Sequence, residues 1–384
     1  MSSNLTPSPD TSPRPGPGFS IGMPVPGFFG VTDSNPRYAF DSVAGRYVLL
    51  ALLGSTAANA VAAAAWAKLR AAQAQGMFDD ARACAFAVSV DPADTERLKD
   101  QLPGLRVFRD HDAAVSRRYG AVQPDAAEPG RMLYGGFALL LDPMLRVLSV
   151  ASLARIEEVL AALAKAPPPA LHAGMEVPAP VLVLPRVLEP DFCRELIALY
   201  EAHGGGESGF MREIGGRTVG VVDPNHKRRR DYNIEDEAVK AALRARISQR
   251  LVPEIHKAFQ FHATRIERYI VACYDAQEGG HFRAHRDNTT KGTAHRRFAV
   301  SINLNEDFDG GDLWFPEFGP RRYRPPPGGA VVFSCSLLHE ATRVTRGLRY
   351  ATLPFLYDDA AARIRQENAR FLGEASAEQD RAAG

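Results

Sequence analysis

The hydrophobic pattern of this 384-residue chain changes at Pro167-Pro168-Pro169, and that break constrains the architecture more than any other feature. Three successive prolines cannot continue a helix, and they stiffen the chain into a spacer. Before the break, apolar runs alternate with helical stretches. Residues 47–53 (YVLLALL) are apolar throughout, as in a central strand covered on both faces. The Ala-rich stretch 57–75 reads as a helix, 84–90 (CAFAVSV) as a second buried strand and 94–101 as a short helix. Residues 137–142 and 146–150 resemble a hairpin, closed by a helix over 156–165. This alternation predicts an α/β domain.

After the break, helices over 190–203 and 236–259 precede short strands at 265–274, 299–305, 312–315, 330–333 and 350–355. Many short strands punctuated by Gly and Pro predict a barrel or jelly roll. The expected organisation is a disordered leader over 1–20, an α/β domain over 21–165, a Pro-rich linker over 166–180 and a second domain over 181–384. The leader is rich in Pro, Ser and Thr and has too little apolar surface to offset its ordering entropy.

The formal net charge is +1, so no bulk field draws the chain to nucleic acid or to an anionic membrane. The basic run 227–230 (KRRR) reads as a solvated loop, with contact to a substrate or to an acidic partner as the alternative. Cys84, Cys193, Cys273 and Cys335 are widely spaced and form no CxxC pair, which argues against a disulfide framework or a thiolate zinc site. With no signal peptide and no membrane-span pattern, the expected setting is cytoplasmic, with neither membrane nor nucleic acid as partner.

His285-Arg286-Asp287 follows a predicted strand, and residues i and i+2 of an extended chain point to one side. His339 lies 52 residues beyond Asp287, after a Pro-Gly-Gly turn and a buried strand. Two histidines and one carboxylate occupy one face of an octahedron, which suits non-haem iron(II). A zinc hydrolase uses a similar ligand set. Ten residues past His339, Arg349 opens the apolar stretch RYATLPF. A planar cation there suits bidentate binding of a carboxylate, and a salt-bridged surface arginine is the plainer reading.

The segments VACYDAQEGGHFRAHRDN, SINLNEDFDGGDLWFPE and PPPGGAVVFSCSLLHEATRVTRGLRYATLPF, with an acidic-start helix near 358–371, resemble the prolyl 4-hydroxylase-like 2-oxoglutarate/iron(II) dioxygenases. The resemblance covers residues 181–371 and is closest after Ile266. It implies a double-stranded β-helix (jelly-roll) core with supporting helices. It makes His285, Asp287 and His339 the catalytic metal ligands, Arg349 the anchor of the distal 2-oxoglutarate carboxylate, and Tyr274 part of the co-substrate pocket. The other reading of Tyr274 is a packed aromatic with a satisfied hydroxyl. Asn303 has no assigned role, and His281 and His295 read as loop or hydrogen-bonded histidines. The implied cofactors are Fe(2+), 2-oxoglutarate as co-substrate and O2, with L-ascorbate as an auxiliary. The implied reaction hydroxylates a C–H bond while 2-oxoglutarate is decarboxylated to succinate. By family analogy the substrate is a protein or peptide, prolyl-like, with a free amino acid or small metabolite as the alternative.

In the first half, IGMPVPGFFGVTD, GRYVLLALLG, FAVSVDPAD, FRDHDAAVSRRYGA and FALLLDPMLRV together resemble a peroxiredoxin, within the thioredoxin-like fold. Peroxiredoxin chemistry needs a thiolate at the start of the helix after the YVLLALL strand. Residues 54–60 (GSTAANA) contain no cysteine, and Cys84 falls in a predicted buried strand where thiols are inert. The expected fold class is therefore α+β with two domains: a thioredoxin-like domain without its chemistry, then an oxygenase domain. The first would serve contact with substrate, with a partner or with a second copy of the chain as a homo-oligomer. Two other readings compete: a scaffold of two degenerate enzyme domains, and a redox enzyme using Cys84.

Overall fold

The structure, a computed structural model, describes residues 18–125 and 132–373. Most of the expected leader therefore lies outside the described residues. The chain forms two compact units that divide between Glu176 and Val177, inside the Pro-rich stretch.

The first unit is built on a five-stranded sheet. Its strand order is Leu105–Arg109, Ala83–Ser89, Tyr47–Gly54, Phe137–Leu141, Val147–Ser152. The first three strands are parallel and the last two run antiparallel. Tyr47–Gly54 is central and every one of its residues is buried, as a continuous apolar run requires. Helices Ala60–Ala74 and Ile156–Lys165 cover one face, packing Trp66, Leu69, Val159 and Leu163 against Leu49 and Ala51. The first helix is capped by Asn59, whose side chain accepts from Val61 N and Ala62 N.

No helix forms over 94–101; the chain makes a single 3-10 turn at Pro92–Asp94. Asp94 has a task that helix propensity cannot register. Its fully buried carboxylate accepts from Thr56 N at 2.8 Å, Thr56 Oγ1 at 2.5 Å and Ser89 Oγ at 2.8 Å, tying three loops together. Asp94→Ala would strand those donors in a dry site, at a cost of about 3 kcal/mol. Urea unfolding of the full chain should show that loss in the first unit's transition, and a shift under about 1 kcal/mol would remove this role for Asp94.

Besides a separate hairpin of Phe210–Ile214 and Arg217–Val221, the second unit carries two larger antiparallel sheets. Along the main path of the larger sheet run Leu182–Leu184, Ala330–Ser334, Phe298–Asn303, Val344–Thr352, Ile270–Asp275, Arg230–Asn233 and Gly206–Glu207. The smaller consists of Lys227–Arg228, His281–His285, His339–Ala341, Leu313–Trp314 and Arg322–Tyr323. Three helices, Pro190–His203, Glu237–Arg250 and Val252–Phe259, join the larger sheet in one core of Leu196, Leu243, Ile247 and Ile255 with Val271, Val300 and Val332. The single helix expected over 236–259 is two, interrupted at Leu251, because Pro253 lacks the N–H that would continue it and instead sits in the first turn of the second helix.

Two expected strands are likewise divided. The run 350–355 belongs to Val344–Thr352 and Phe355–Tyr357, with Pro354 at the break. The run 265–274 splits at Arg268, whose φ is +71°. Arg265–Glu267 pairs with Phe355–Tyr357, while Ile270–Asp275 pairs with Arg230–Asn233 and Val344–Thr352. Among the described residues, no helix is long and apolar enough to cross a membrane.

Candidate metal centre

His285 ends one strand of the smaller sheet and stands directly opposite His339 on the neighbouring strand. Their ring centroids are 4.3 Å apart. Asp287, two residues on, is held where its backbone N–H donates to Cys335 O at 3.0 Å. Its two carboxylate oxygens then face the two rings: Oδ1 is 3.5 Å from His285 Nε2 and Oδ2 is 3.4 Å from His339 Nε2. Three donor atoms, one from each residue, all lie within 4.8 Å of one another.

The outer nitrogens leave this group able to hold a metal ion. His285 Nδ1 lies 2.7 Å from Arg283 O and His339 Nδ1 lies 3.1 Å from Leu337 O. A carbonyl only accepts, so each Nδ1 carries the proton and each Nε2 lone pair is free for a cation. Burial, reinforced by His339, pushes the His285 pKa down to about 4, so the ring is neutral at physiological pH. Burial works against the Asp287 charge, but His339, His285 and Arg296 outweigh it and hold the carboxyl below its ordinary range. Two imidazole nitrogens and an ionised carboxylate converging in this way fit a divalent metal such as iron(II).

Arg286, between the ligands, points the other way and pairs with Glu317 at 2.9 Å. Glu317 Oε2 also accepts from Leu338 N, next to His339, at 3.1 Å. One buried carboxylate thus ties the first ligand segment to the second, a link that nothing in the local sequence signals.

Arg349 is not a surface arginine. It is 2 % exposed and opens into the same pocket as the three ligands. Neutral oxygens hold it: Asn303 Oδ1 accepts from Nε at 3.1 Å and from Nη2 at 3.0 Å, and Ser301 Oγ accepts from Nη2 at 2.8 Å. Asn303 is fixed in turn by donating to Pro325 O at 2.9 Å, which gives this residue a role the sequence left open. No carboxylate among the described residues reaches Arg349 within salt-bridge distance, and burial lowers its pKa. Gly311, at φ +67°, keeps the approach clear, since a Cβ there would sit 2.9 Å from Arg349 Cδ.

Tyr274 is paired in register with Arg349, whose guanidinium carbon lies 5.2 Å from the ring centroid. Its hydroxyl is 3.4 Å from Arg229 Nη1. It therefore lines the pocket and is satisfied by a hydrogen bond as well. His281 and His295 stay outside the ligand group; the former contacts Gly279 O and the latter Glu267.

The run 227–230 corrects the reading as a solvated loop. Lys227 and Arg229 are buried, while Arg228 and Arg230 are exposed, which is the alternation of an extended chain. Arg229 reaches the pocket and Lys227 donates to Ser208 Oγ at 2.6 Å. A local charge count cannot distinguish this inward alternation from a loop. Phe282, Leu313, Phe333 and Phe355 supply apolar walls to the pocket, whose empty space is about 480 Å³ when the open solvent at its mouth is counted.

Two histidines and one carboxylate that could hold a metal ion thus share a pocket with a buried arginine that has no acidic partner among the described residues, and such a triad with open positions is the geometry of non-haem iron(II) sites. Residues 269–357 match the 2OG-Fe(II) oxygenase superfamily. A PKHD-type hydroxylase of Synechococcus sp. is 30% identical over 98 residues, covering 24% of this chain and 43% of that protein. Another from Pseudomonas fluorescens is 39% identical over 92 residues, covering 22% and 40%. The chain thus spans well under half the length of these curated relatives. A Pseudomonas putida prolyl-4-hydroxylase structure aligns with 20% identity and a TM-score of 0.35, over 47% of this chain and 92% of that one. A Trichoplax adhaerens prolyl hydroxylase, solved with a hypoxia inducible factor peptide fragment, aligns with 19% identity and a TM-score of 0.36, over 49% and 86%. The C-terminal region is a 2OG-Fe(II) oxygenase domain similar to the PKHD-type hydroxylases, a family that uses Fe(2+), 2-oxoglutarate and O2.

Proposed function

We propose that this protein is an iron(II)- and 2-oxoglutarate-dependent hydroxylase whose metal is held by His285, Asp287 and His339. The observation that carries this reading is the convergence of those ligands with Arg349, a buried cation with no acidic partner, in one pocket. Zinc hydrolysis accounts for the ligands but leaves the buried arginine unexplained.

Arg349, oriented by Ser301 and Asn303, clamps the distal carboxylate of 2-oxoglutarate, and Tyr274 packs along the co-substrate. When bound, iron(II) with 2-oxoglutarate and O2 supplies the oxidant and releases succinate and carbon dioxide, with L-ascorbate as an auxiliary reductant. The chain contributes orientation and a dry wall of Phe282, Leu313, Phe333 and Phe355 around the reacting atoms. The two antiparallel sheets carry these residues as a double-stranded β-helix does. The substrate we propose is a peptidyl, prolyl-type residue, on the strength of the motifs shared with prolyl 4-hydroxylase-like enzymes. The test is incubation of the pure full chain with iron(II), 2-oxoglutarate and lysate peptides or metabolites, followed by mass spectrometry for succinate and for added oxygen. Absence of metal-dependent succinate sinks the oxygenase reading, and efficient hydroxylation of a free amino acid alone sinks the peptide.

For the first unit we propose a thioredoxin-like fold used for contact. Its sheet has three parallel strands and an antiparallel pair, and the segment where a peroxidatic thiolate would stand is occupied by hydroxyls bound to Asp91 and Asp94. Cys84 lies in the central sheet, fully buried, and burial pushes its thiol pKa up to about 12. All four cysteines are free and buried, in keeping with a cytoplasmic setting. The full chain should not consume peroxide with a thiol reductant. Turnover that vanishes in Cys84→Ser would overturn that expectation.

A further inference from the structure

We propose that Arg268 binds a carboxylate carried by the substrate, so that this site hydroxylates a carbon next to an acidic group. The proposal rests on the oxygenase reading above and names its substrate class.

Arg268 lines the same pocket as the three metal ligands and Arg349. Its side chain keeps 23% of its surface open, and no hydrogen-bond acceptor among the described residues reaches it. The nearest carboxylate is Asp231, at 3.8 Å. That carboxylate is already taken: Oδ1 receives Arg229 Nε at 2.7 Å, and Oδ2 receives Arg229 Nη2 at 2.6 Å and Ser208 Oγ at 2.5 Å. Glu267, the preceding residue, is fully engaged by Arg296 and by His295 at 2.7 Å. Asp287 stands between the two ligand histidines. Every nearby anion has a stronger claim on it than Arg268 has.

The backbone supports the same conclusion. Arg268 holds φ at +71° where the chain leaves one strand pairing for another. A non-glycine residue in that region is strained, and such strain persists where the surroundings enforce it, often at a ligand site. The guanidinium carbon lies 5.1 Å from the centroid of the Phe355 ring, another residue of the pocket wall. Burial and the neighbouring Arg229 bring its pKa down to about 10, which still leaves it charged at neutral pH.

Charge balance completes the case. The pocket lining holds three arginines and one aspartate. Arg229 is balanced by Asp231, Arg349 by the distal carboxylate of 2-oxoglutarate, and the metal by Asp287 together with the co-substrate's other carboxylate. One positive charge remains, on Arg268, whose side chain is largely withdrawn from bulk water. A substrate carboxylate would complete the balance, whether it is an Asp or Glu side chain beside the target residue of a peptide or the α-carboxylate of a free amino acid.

The test uses the full chain loaded with manganese(II) and an inert 2-oxoglutarate analogue. Retention is compared for two pools of blocked hexapeptides that differ only in carrying Asp and Glu or Asn and Gln. It is compared as well for amino acids with free or amidated α-carboxyl groups. The expected result is at least a thirty-fold preference for the carboxylate member of one pair, falling to near unity in Arg268→Gln while analogue binding is unchanged. The peptide arm and the amino-acid arm identify the source of the carboxylate. No carboxylate preference in either arm, or a preference that survives in Arg268→Gln, overturns the proposal. Weaker analogue binding in Arg268→Gln also overturns it, by making Arg268 part of the co-substrate clamp. Loss of metal-dependent analogue binding in the unaltered chain would instead remove the oxygenase reading itself.

Discussion

Asp287→Ala should reduce metal-dependent succinate formation to background and abolish stabilisation by added metal. The carboxylate supplies the one anionic ligand and sits 3.5 Å and 3.4 Å from the two histidine Nε2 atoms, so without it the site keeps two neutral donors. In the unaltered chain, metal at a hundredfold excess over its dissociation constant should add about 2.7 kcal/mol to the stability of the second unit. Thermal unfolding with and without manganese(II) reads that difference, and the variant should show none. The metal-free variant should fold as well as the parent, because Asp287 fills no apolar core position. His339→Ala should behave alike, although its ring also contacts Phe333 at 4.6 Å between centroids. Full succinate production by either variant would sink the ligand assignment.

Arg349→Gln should raise the 2-oxoglutarate requirement by about two orders of magnitude, since truncating one partner of a buried charge pair leaves the other unpaired. Metal binding, read by manganese(II) titration, should survive. Stability offers an independent reading. A buried arginine kept for the fold would have an acidic partner, and its loss would destabilise the protein. Arg349 has only Ser301 and Asn303, so the ligand-free variant should be no less stable than the parent, and the cost should appear only with co-substrate. An unchanged co-substrate dependence, or a large fall in ligand-free stability, would place the clamp elsewhere.

The convergence of these three residues was legible because each leaves a local mark. His285 and Asp287 share a side through two-residue alternation, and His339 follows a glycine turn and a buried strand. Arg349 was legible as a candidate, but its burial and its lack of an acid are properties of neighbours 46 and 48 residues away in the chain. Arg229 was misread because the KRRR run looks solvated until pairing turns alternate members inward. Glu317 and Arg268 carried no signal at all. The first acts through a residue 31 positions away, and the second matters because every nearby carboxylate is already occupied.

From sequence alone came the proline break within which the two compact units divide, the buried strand Tyr47–Gly54, the absence of a cysteine at residues 54–60 and the three residues, His285, Asp287 and His339, that the fold brings within 4.8 Å of one another. These depend on local pattern, where hydrophobic runs, proline and residue spacing act over a few residues. The tertiary structure alone decided the interruptions of expected elements at Asp94 and at Arg268. It alone decided which side of residues 227–230 faces inward and which buried cations lack a partner. Those outcomes turn on the desolvation of charged groups and on the competition of distant donors for a few carboxylates, and neither can be summed before the sheets bring those groups together.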